Sequence, residues 1–372
     1  MYLKIAPTQL FDGYMLHPND SVLISKNNIV QGIVPLCEAG DDVQFINGLL
    51  CPGFVNAHCH LELSYMHNLI PSNTGMIAFI QQVMALRNMP KNIIINAIAS
   101  AEGEMIKNGI VAVGDVSNTN NSIYQKQKNN LLYTNFIEIS GLVPNAAIVR
   151  YENGLQVLQQ FTTAGLAAQL VPHAPYSVSN KLLQLIYNNY VGGVTTMHIN
   201  ESAAEVQFMQ NATGPMLELY DSLGINIHDY TTNLNYTLTI PTNTKSNIWV
   251  HNVVTNSNDM AVMQGSNANN YLCLCPNANL YIGNGLPNIP LLMESGLPIC
   301  LGTDSLASNY KLCILSEIKT ILKYYPTIPV TTVLQWATSN GAKALNISAT
   351  HGSFERGKCA TYVQLPLIEH FL

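Results

Sequence analysis

Charge is what this chain has least of. Lys and Arg together number 16 and Asp and Glu 22 among 372 residues, so charged residues make up 10% against 48% hydrophobic. The net charge of -6 leaves no basic surplus with which to displace counterions, which argues against a phosphate-backbone binder. No apolar run reaches the roughly 18 residues of a membrane span. The opening stretch MYLKIAPTQLFDG has one Lys and no apolar core, so it does not read as a signal peptide. None of the eight cysteines forms a C-x-x-C pair, and most sit in apolar runs where free Cys acts as a small hydrophobe. A chain of this length needs no covalent staples, so reduced thiols and a cytoplasmic location are expected. Arginine is confined to Arg87, Arg150 and Arg356.

What is present is a rhythm of apolar runs. Residues 1–50 alternate over short stretches punctuated by Gly, Asn and Asp, as in a small antiparallel unit. After Pro52 come eight strand candidates, at 53–58, 110–116, 131–139, 165–172, 194–198, 247–251, 271–275 and 297–303, separated by helix-like segments. Strands alternating with helices imply βα units and a parallel sheet, and eight such units close a (β/α)8 TIM barrel. The tail from Gly352 returns to strand character. The expected organisation is therefore a barrel over 51–344 and a small β-sandwich domain built from 1–50 and 345–372.

Polar residues end these strands. In LLCPGFVNAHCHLELSY, His58 and His60 are two residues apart, and on a strand they share a face. His173 follows the fourth strand, His198 ends the fifth with Glu201 three residues on, His251 ends the sixth and Asp304 follows the eighth. In a (β/α)8 barrel, active sites are built at the C-terminal strand ends. Each group alone reads as a hydrogen-bonded or solvated side chain; five strands ending this way together do not.

PGFVNAHCHLE, PHAPYSVS, MHINE, VHNV, CPNANLYIGNG and LGTDSLASN recur in form and order in the amidohydrolase superfamily, and the chain resembles its chlorohydrolase and purine-type deaminase branch over nearly its whole length. The resemblance implies one divalent metal held by His58, His60, His198 and Asp304, catalytic roles for Glu201, His251 and Asp304, and substrate contact by His173. Three imidazoles and a carboxylate suit zinc or Fe(II) and leave a place for water, whose pKa such an ion lowers toward neutrality. Glu201 is then placed to move a proton to a ring nitrogen, and His251 to stabilise charge on the attacking oxygen. Binuclear members carry a carboxylated Lys at the fourth strand; residues 165–180 contain none, which favours a mononuclear site.

The resemblance points to deamination of a 6-aminopurine nucleoside derivative. HLELS and LGTDSLASN look most like aminodeoxyfutalosine deaminases of the menaquinone pathway, with S-adenosylhomocysteine, methylthioadenosine and adenosine deaminases, or hydrolysis of a non-purine C–N or C–Cl bond, as alternatives. A benzoate-bearing substrate calls for a bidentate Arg, for which Arg87 and Arg150 are candidates and Arg356, in the tail, is remote. Glu62 either meets a purine edge or ribose hydroxyl, or orients a metal-bound His. Asn277 and Asn279 are substrate-contact candidates by position. The partner is a small molecule, with no nucleic acid or membrane; a homodimer is left open.

Overall fold

A computed structural model describes residues 2–190, 192–227, 244–266 and 268–371. The chain opens with β1 (Tyr2–Leu10), β2 (Ser21–Lys26), β3 (Ile29–Pro35) and β4 (Gln44–Pro52). Asn27 and Asn28, both at positive φ, join β2 to β3 in the two-residue hairpin geometry that Asn tolerates. Eight strands with parallel pairing follow: β5 (Phe54–Cys59), β6 (Ile110–Ser117), β7 (Leu132–Ile139), β8 (Ala168–Pro172), β9 (Gly193–Ile199), β10 (Thr244–His251), β11 (Asn270–Leu274) and β12 (Ile299–Leu301). Each coincides with one of the eight apolar runs. The last strand, β13 (Tyr362–Leu365), returns antiparallel to β4.

The parallel strands form two four-stranded sheets, β5-β6-β7-β8 and β12-β11-β10-β9. At one seam the Thr303 and Asp304 amides donate to His58 O at 3.0 and 3.1 Å, and Cys59 bridges Asp304. At the other, the His198 amide donates to His173 O at 2.9 Å. One buried cluster takes a side chain from every parallel strand: Val55, Ala112, Phe136, Val171, Val194, Ile248, Cys273 and Cys300. Strands apolar on both faces are what a sheet covered by helices requires. Gly53, at the entry to β5, lies so close to β6 that a Cβ there would fall 2.4 Å from Val111 Cγ1.

The accessory unit differs from the expected sandwich. Among the described residues it is one five-stranded sheet, in the order β13-β4-β1-β2-β3. Its faces need no second sheet. Ile5, Leu10, Leu23, Val30 and Leu50 pack under Phe354 and Ala360 of the tail. Ala6 and Val22 pack with Ala39 and Val43 of the segment between β3 and β4. Among the described residues no helix is long and apolar enough to cross a membrane. All eight cysteines are free.

Candidate active site and metal centre

The site sits where the parallel strands end. His58 lies inside β5, where the pairing with β6 shifts register between Asn56 and Cys59. His60 is the first residue past the strand, capping the short 3-10 turn Leu61–Met66. His198 belongs to β9, and Asp304 follows β12 in left-handed backbone, φ 56°. Their ligand atoms converge. His198 Nε2 is 3.2 Å from both His58 Nε2 and His60 Nε2, and Asp304 Oδ1 is 3.6 Å from each of those two. A tetrahedral ion with bonds of about 2.0–2.1 Å has ligand–ligand edges of about 3.3–3.4 Å, so these spacings fit a single cation.

The donor chemistry makes the same point. His198 Nδ1–H donates to His173 O at 2.8 Å, so in the neutral ring Nε2 carries a lone pair. Burial lowers His198 to about 3 and His58 to about 4. The His58 ring stands edge-on to His60 and His198 at 4.9 and 4.8 Å with the Nε2 atoms converging, an arrangement that a cation relieves. Asp304 presents its other oxygen to Ser308, whose Oγ–H donates to Oδ2 at 2.5 Å and leaves Oδ1 facing the histidines. Burial works to raise the Asp304 carboxyl, but the His58 hydrogen bond and the His60 and His251 charges outweigh it and hold it well below its ordinary value.

Glu201 and His251 face each other beside this cluster, with Glu201 Oε1 3.7 Å from His251 Nε2. Burial, aided by the Asp304 charge, pushes the Glu201 carboxyl up to about 8. His251 Nδ1–H donates to Asn279 Oδ1 at 2.9 Å, leaving Nε2 toward Glu201. His251 and Asn252 have φ of 78° and 57°, and Asn200, just before Glu201, has 50°. Left-handed backbone outside glycine costs about 1–3 kcal/mol per residue and concentrates at functional sites. The His173 ring stands 4.9 Å from His198 and 5.6 Å from Tyr176, its Nδ1 bonded to Ser177 Oγ at 2.6 Å. Burial lowers it to about 4.

The remaining candidates divide. Glu62 is buried, and its carboxylate accepts from Asn118 N at 2.8 Å, Thr119 N at 3.1 Å and Thr119 Oγ1 at 2.9 Å. It therefore pins the loop after β6, and among the described residues its hydrogen bonds go to that loop. Arg87, exposed at the end of helix Met76–Leu86, is close enough for its charge to lower His173. Arg150 is exposed in the first turn of helix Ala147–Thr163, over Gly141 of the loop after β7. Arg356 is exposed in the tail. Asn277 is committed to Glu317, Ser316 and Thr320, and so is part of the scaffold. Asn279 reaches His251 instead of open space.

Sequence reasoning missed Glu138, Asn118, Ser308 and Asn284. Glu138, near the end of β7, is buried with Oε1 3.5 Å from His198 Nδ1, and its Oε2 accepts from Asn118 Nδ2 at 3.1 Å. An acid inside an otherwise apolar strand, FIEI, was the available signal. Asn284 Nδ2 approaches Glu201 Oε1 at 3.4 Å. Asn284 lies in the run CPNANLYIGNG, but its contact with Glu201 follows only from the fold.

Residues 49–367 match the amidohydrolase family, and the chain belongs to it. It is accordingly a hydrolase acting on C–N bonds other than peptide bonds, in a family that uses a divalent metal. Among its relatives is a 5'-deoxyadenosine deaminase of Methanococcus vannielii, 24% identical, covering 94% of this chain and 83% of the relative. A 5-methylthioadenosine/S-adenosylhomocysteine deaminase of Bacillus thuringiensis is also 24% identical, over 95% of this chain and 80% of that one. In fold the chain is similar to the aminofutalosine deaminase of Helicobacter pylori, solved with methylthio-coformycin, at a TM-score of 0.80 and 22% identity, covering 98% and 92% of the two chains. An adenosine deaminase of Xanthomonas campestris with bound zinc superposes at a TM-score of 0.71, with 19% identity and 97% and 84% coverage.

Proposed function

We propose that this chain is a metal-dependent hydrolytic deaminase that converts a 6-aminopurine nucleoside derivative to its 6-oxo product and ammonia. The observation that carries the reading is the convergence of three imidazole Nε2 atoms and Asp304 Oδ1, with the Glu201–His251 pair beside them. The likeness to deaminases of adenosine derivatives supports the purine ring as the reacting group. We assign residues 51–344 to a closed (β/α)8 barrel, with 1–50 and 345–372 as the accessory β unit. The eight-strand core cluster and the hydrogen bonds across both seams support closure.

In this reading His58, His60, His198 and Asp304 hold one divalent ion, zinc before Fe(II). When bound, that ion supplies the Lewis acidity that readies water for attack at the ring carbon. Asp304 orients the water and takes its proton. Glu201, protonated where burial holds it up to about 8, gives a proton to the ring nitrogen next to the reacting carbon. His251, its Nδ1–H held by Asn279 Oδ1, turns Nε2 toward the site and donates to the developing oxyanion only in its protonated form. His173 lines the substrate side. Eight free cysteines support a reducing, cytoplasmic setting.

Within this class we favour aminodeoxyfutalosine, with Arg87 meeting its carboxylate and Arg150 further out on the rim. The second reading, an S-adenosylhomocysteine, methylthioadenosine or adenosine deaminase, is favoured by the relatives' activities and by the exposure of both arginines. The test is a panel of adenosine, 5'-deoxyadenosine, methylthioadenosine, S-adenosylhomocysteine and aminodeoxyfutalosine with the zinc-loaded enzyme. Turnover is followed by the ultraviolet shift to the 6-oxo form and by ammonia release. Absence of turnover across the panel, with metal bound, refutes the class. A kcat/KM higher for the uncharged nucleosides than for aminodeoxyfutalosine moves the assignment to the second reading.

A further inference from the structure

Glu201 has no secondary structure of its own to aim it. It stands on a three-residue turn, Asn200 to Ser202, between β9 and helix Ala203–Asn211. A free turn would let the carboxyl swing by more than proton transfer to a substrate tolerates. One side chain, Glu205, grips two amides of the turn. Its Oε1 accepts the Asn200 amide at 3.1 Å and its Oε2 the Glu201 amide at 2.8 Å. The Glu205 amide returns a bond to Ser202 Oγ at 3.2 Å, the side-chain half of an S-x-x-E capping motif. Glu205 is almost wholly buried, and burial pushes its carboxyl up to about 8.

A helix cap needs only the Ser202 bond and one acceptor for the capping amide. Here the carboxyl group reaches beyond the cap to the two amides before it, and one of those belongs to Glu201. The far side of the turn is anchored as well: Asn200 Nδ2 donates to Thr255 Oγ1 and Asp259 Oδ2, each at 3.1 Å, and Asn200 O accepts the Val254 amide at 2.9 Å. Those contacts tie the turn to the segment after His251. The two residues of the catalytic pair are thus set on one framework, and Glu205 is its strut on the Glu201 side.

We infer that Glu205 is a positioning residue: its two carboxyl oxygens, by gripping the Asn200 and Glu201 amides, fix the direction in which Glu201 delivers its proton. The inference rests on the deaminase reading of Glu201. Glu205→Gln keeps the size but offers one acceptor and turns an NH2 toward an amide N–H. Glu205→Asp keeps an acid but is one methylene short, and it serves where the Gln variant fails to fold.

The experiment compares wild type, E201Q, E205Q and E205D, each zinc-loaded, on whichever panel nucleoside wild type turns over. It measures zinc per chain, KM, and kcat per bound zinc. A displacement near 1 Å at a reacting group costs on the order of 100-fold in rate. The expected result is a fall of about 10- to 100-fold in kcat per bound zinc for E205Q and E205D, with KM and zinc content close to wild type. A merely structural role would lower the folded, zinc-loaded fraction and leave turnover per bound zinc unchanged. That outcome, in either variant, overturns the inference. Wild type inert on the whole panel is a different failure, that of the deaminase reading. Loss of turnover in E201Q alone leaves that reading standing and removes Glu205 from it.

Discussion

Replacing Lys126 by Met tests how the turn that follows His60 is supported. Lys126 Nζ lies 2.5 Å from Asp115 Oδ2, and both side chains are 0% exposed. The ammonium also sits 5.2 Å from the Tyr133 ring centroid and 5.0 Å from that of Phe161. Asp115 Oδ1 meanwhile accepts the amide of Leu61, the residue after His60, at 2.8 Å. Removing the cation leaves a buried carboxylate with two hydrogen bonds, from Leu61 and Ser117, and no counter-charge. Breaking a buried pair from one side costs about 3–5 kcal/mol. At about 2.1 cal/mol/K per residue the unfolding entropy of a chain of 372 residues is roughly 0.8 kcal/mol/K. K126M should therefore unfold about 4–6 °C lower in calorimetric scans at one fixed rate. The double variant D115N/K126M removes both charges, and Asn keeps an acceptor for the Leu61 amide. It should recover to within about 1–2 °C of wild type. A K126M shift under about 1 °C, or a double variant worse than the sum of the singles, refutes the reasoning.

E201Q should retain one zinc per chain by elemental analysis while kcat falls by about 10²–10⁴, the usual contribution of a general acid; turnover within about threefold of wild type would remove Glu201 from the chemistry. Chelation should abolish activity and one equivalent of zinc should restore it, with H198A recovering nothing because half of the close ligand pairs involve that ring. The pH dependence of metal-free protein follows from two opposed sets of groups. Burial raises Glu201, Glu205 and Glu317 to about 8, so their contribution is fully present below their unfolded value near 4.5 and is lost as pH rises through about 8. Burial lowers His58 and His173 to about 4 and His198 to about 3, so theirs is present above about 6.5 and lost as pH falls through 4. Metal-free protein should be most stable between about pH 4.5 and 6.5; a thermal midpoint higher at pH 8 than at pH 5.5 would contradict that balance.

The parallel strands were legible because burial on both faces writes them as apolar runs, and their polar ends were legible because His and Asp are conspicuous after such runs. His58, His60, His198 and Asp304 come together as their strand-end positions imply. What stayed hidden depends on register and on contacts across the fold. Asn277 and Asn279 sit two residues apart in CPNAN, yet one is tied into the scaffold through Glu317 and the other reaches His251. Glu62 follows the histidine pair closely in sequence but turns toward the loop after β6, a direction set by the 3-10 turn. The sandwich failed because alternation in the first fifty residues reports that a face is covered without saying by what, and loop and tail residues cover this sheet as well as a second sheet would.

The pairing of β13 with β4 has a consequence for the order in which the molecule is made. Tyr362 stands opposite Pro52, and β4 runs almost directly into the strand that carries His58. The seam that brings Asp304 to His58 is likewise a union of early and late chain. Contacts of such long sequence separation must close large loops before they stabilise anything, which slows folding. During synthesis the histidine strand therefore waits, with its edge unpaired, until nearly the whole chain has emerged. Loss of only the short β13 segment would leave the edge of β4 open for good, so a truncation far from Glu201 and His251 should act first on yield and aggregation.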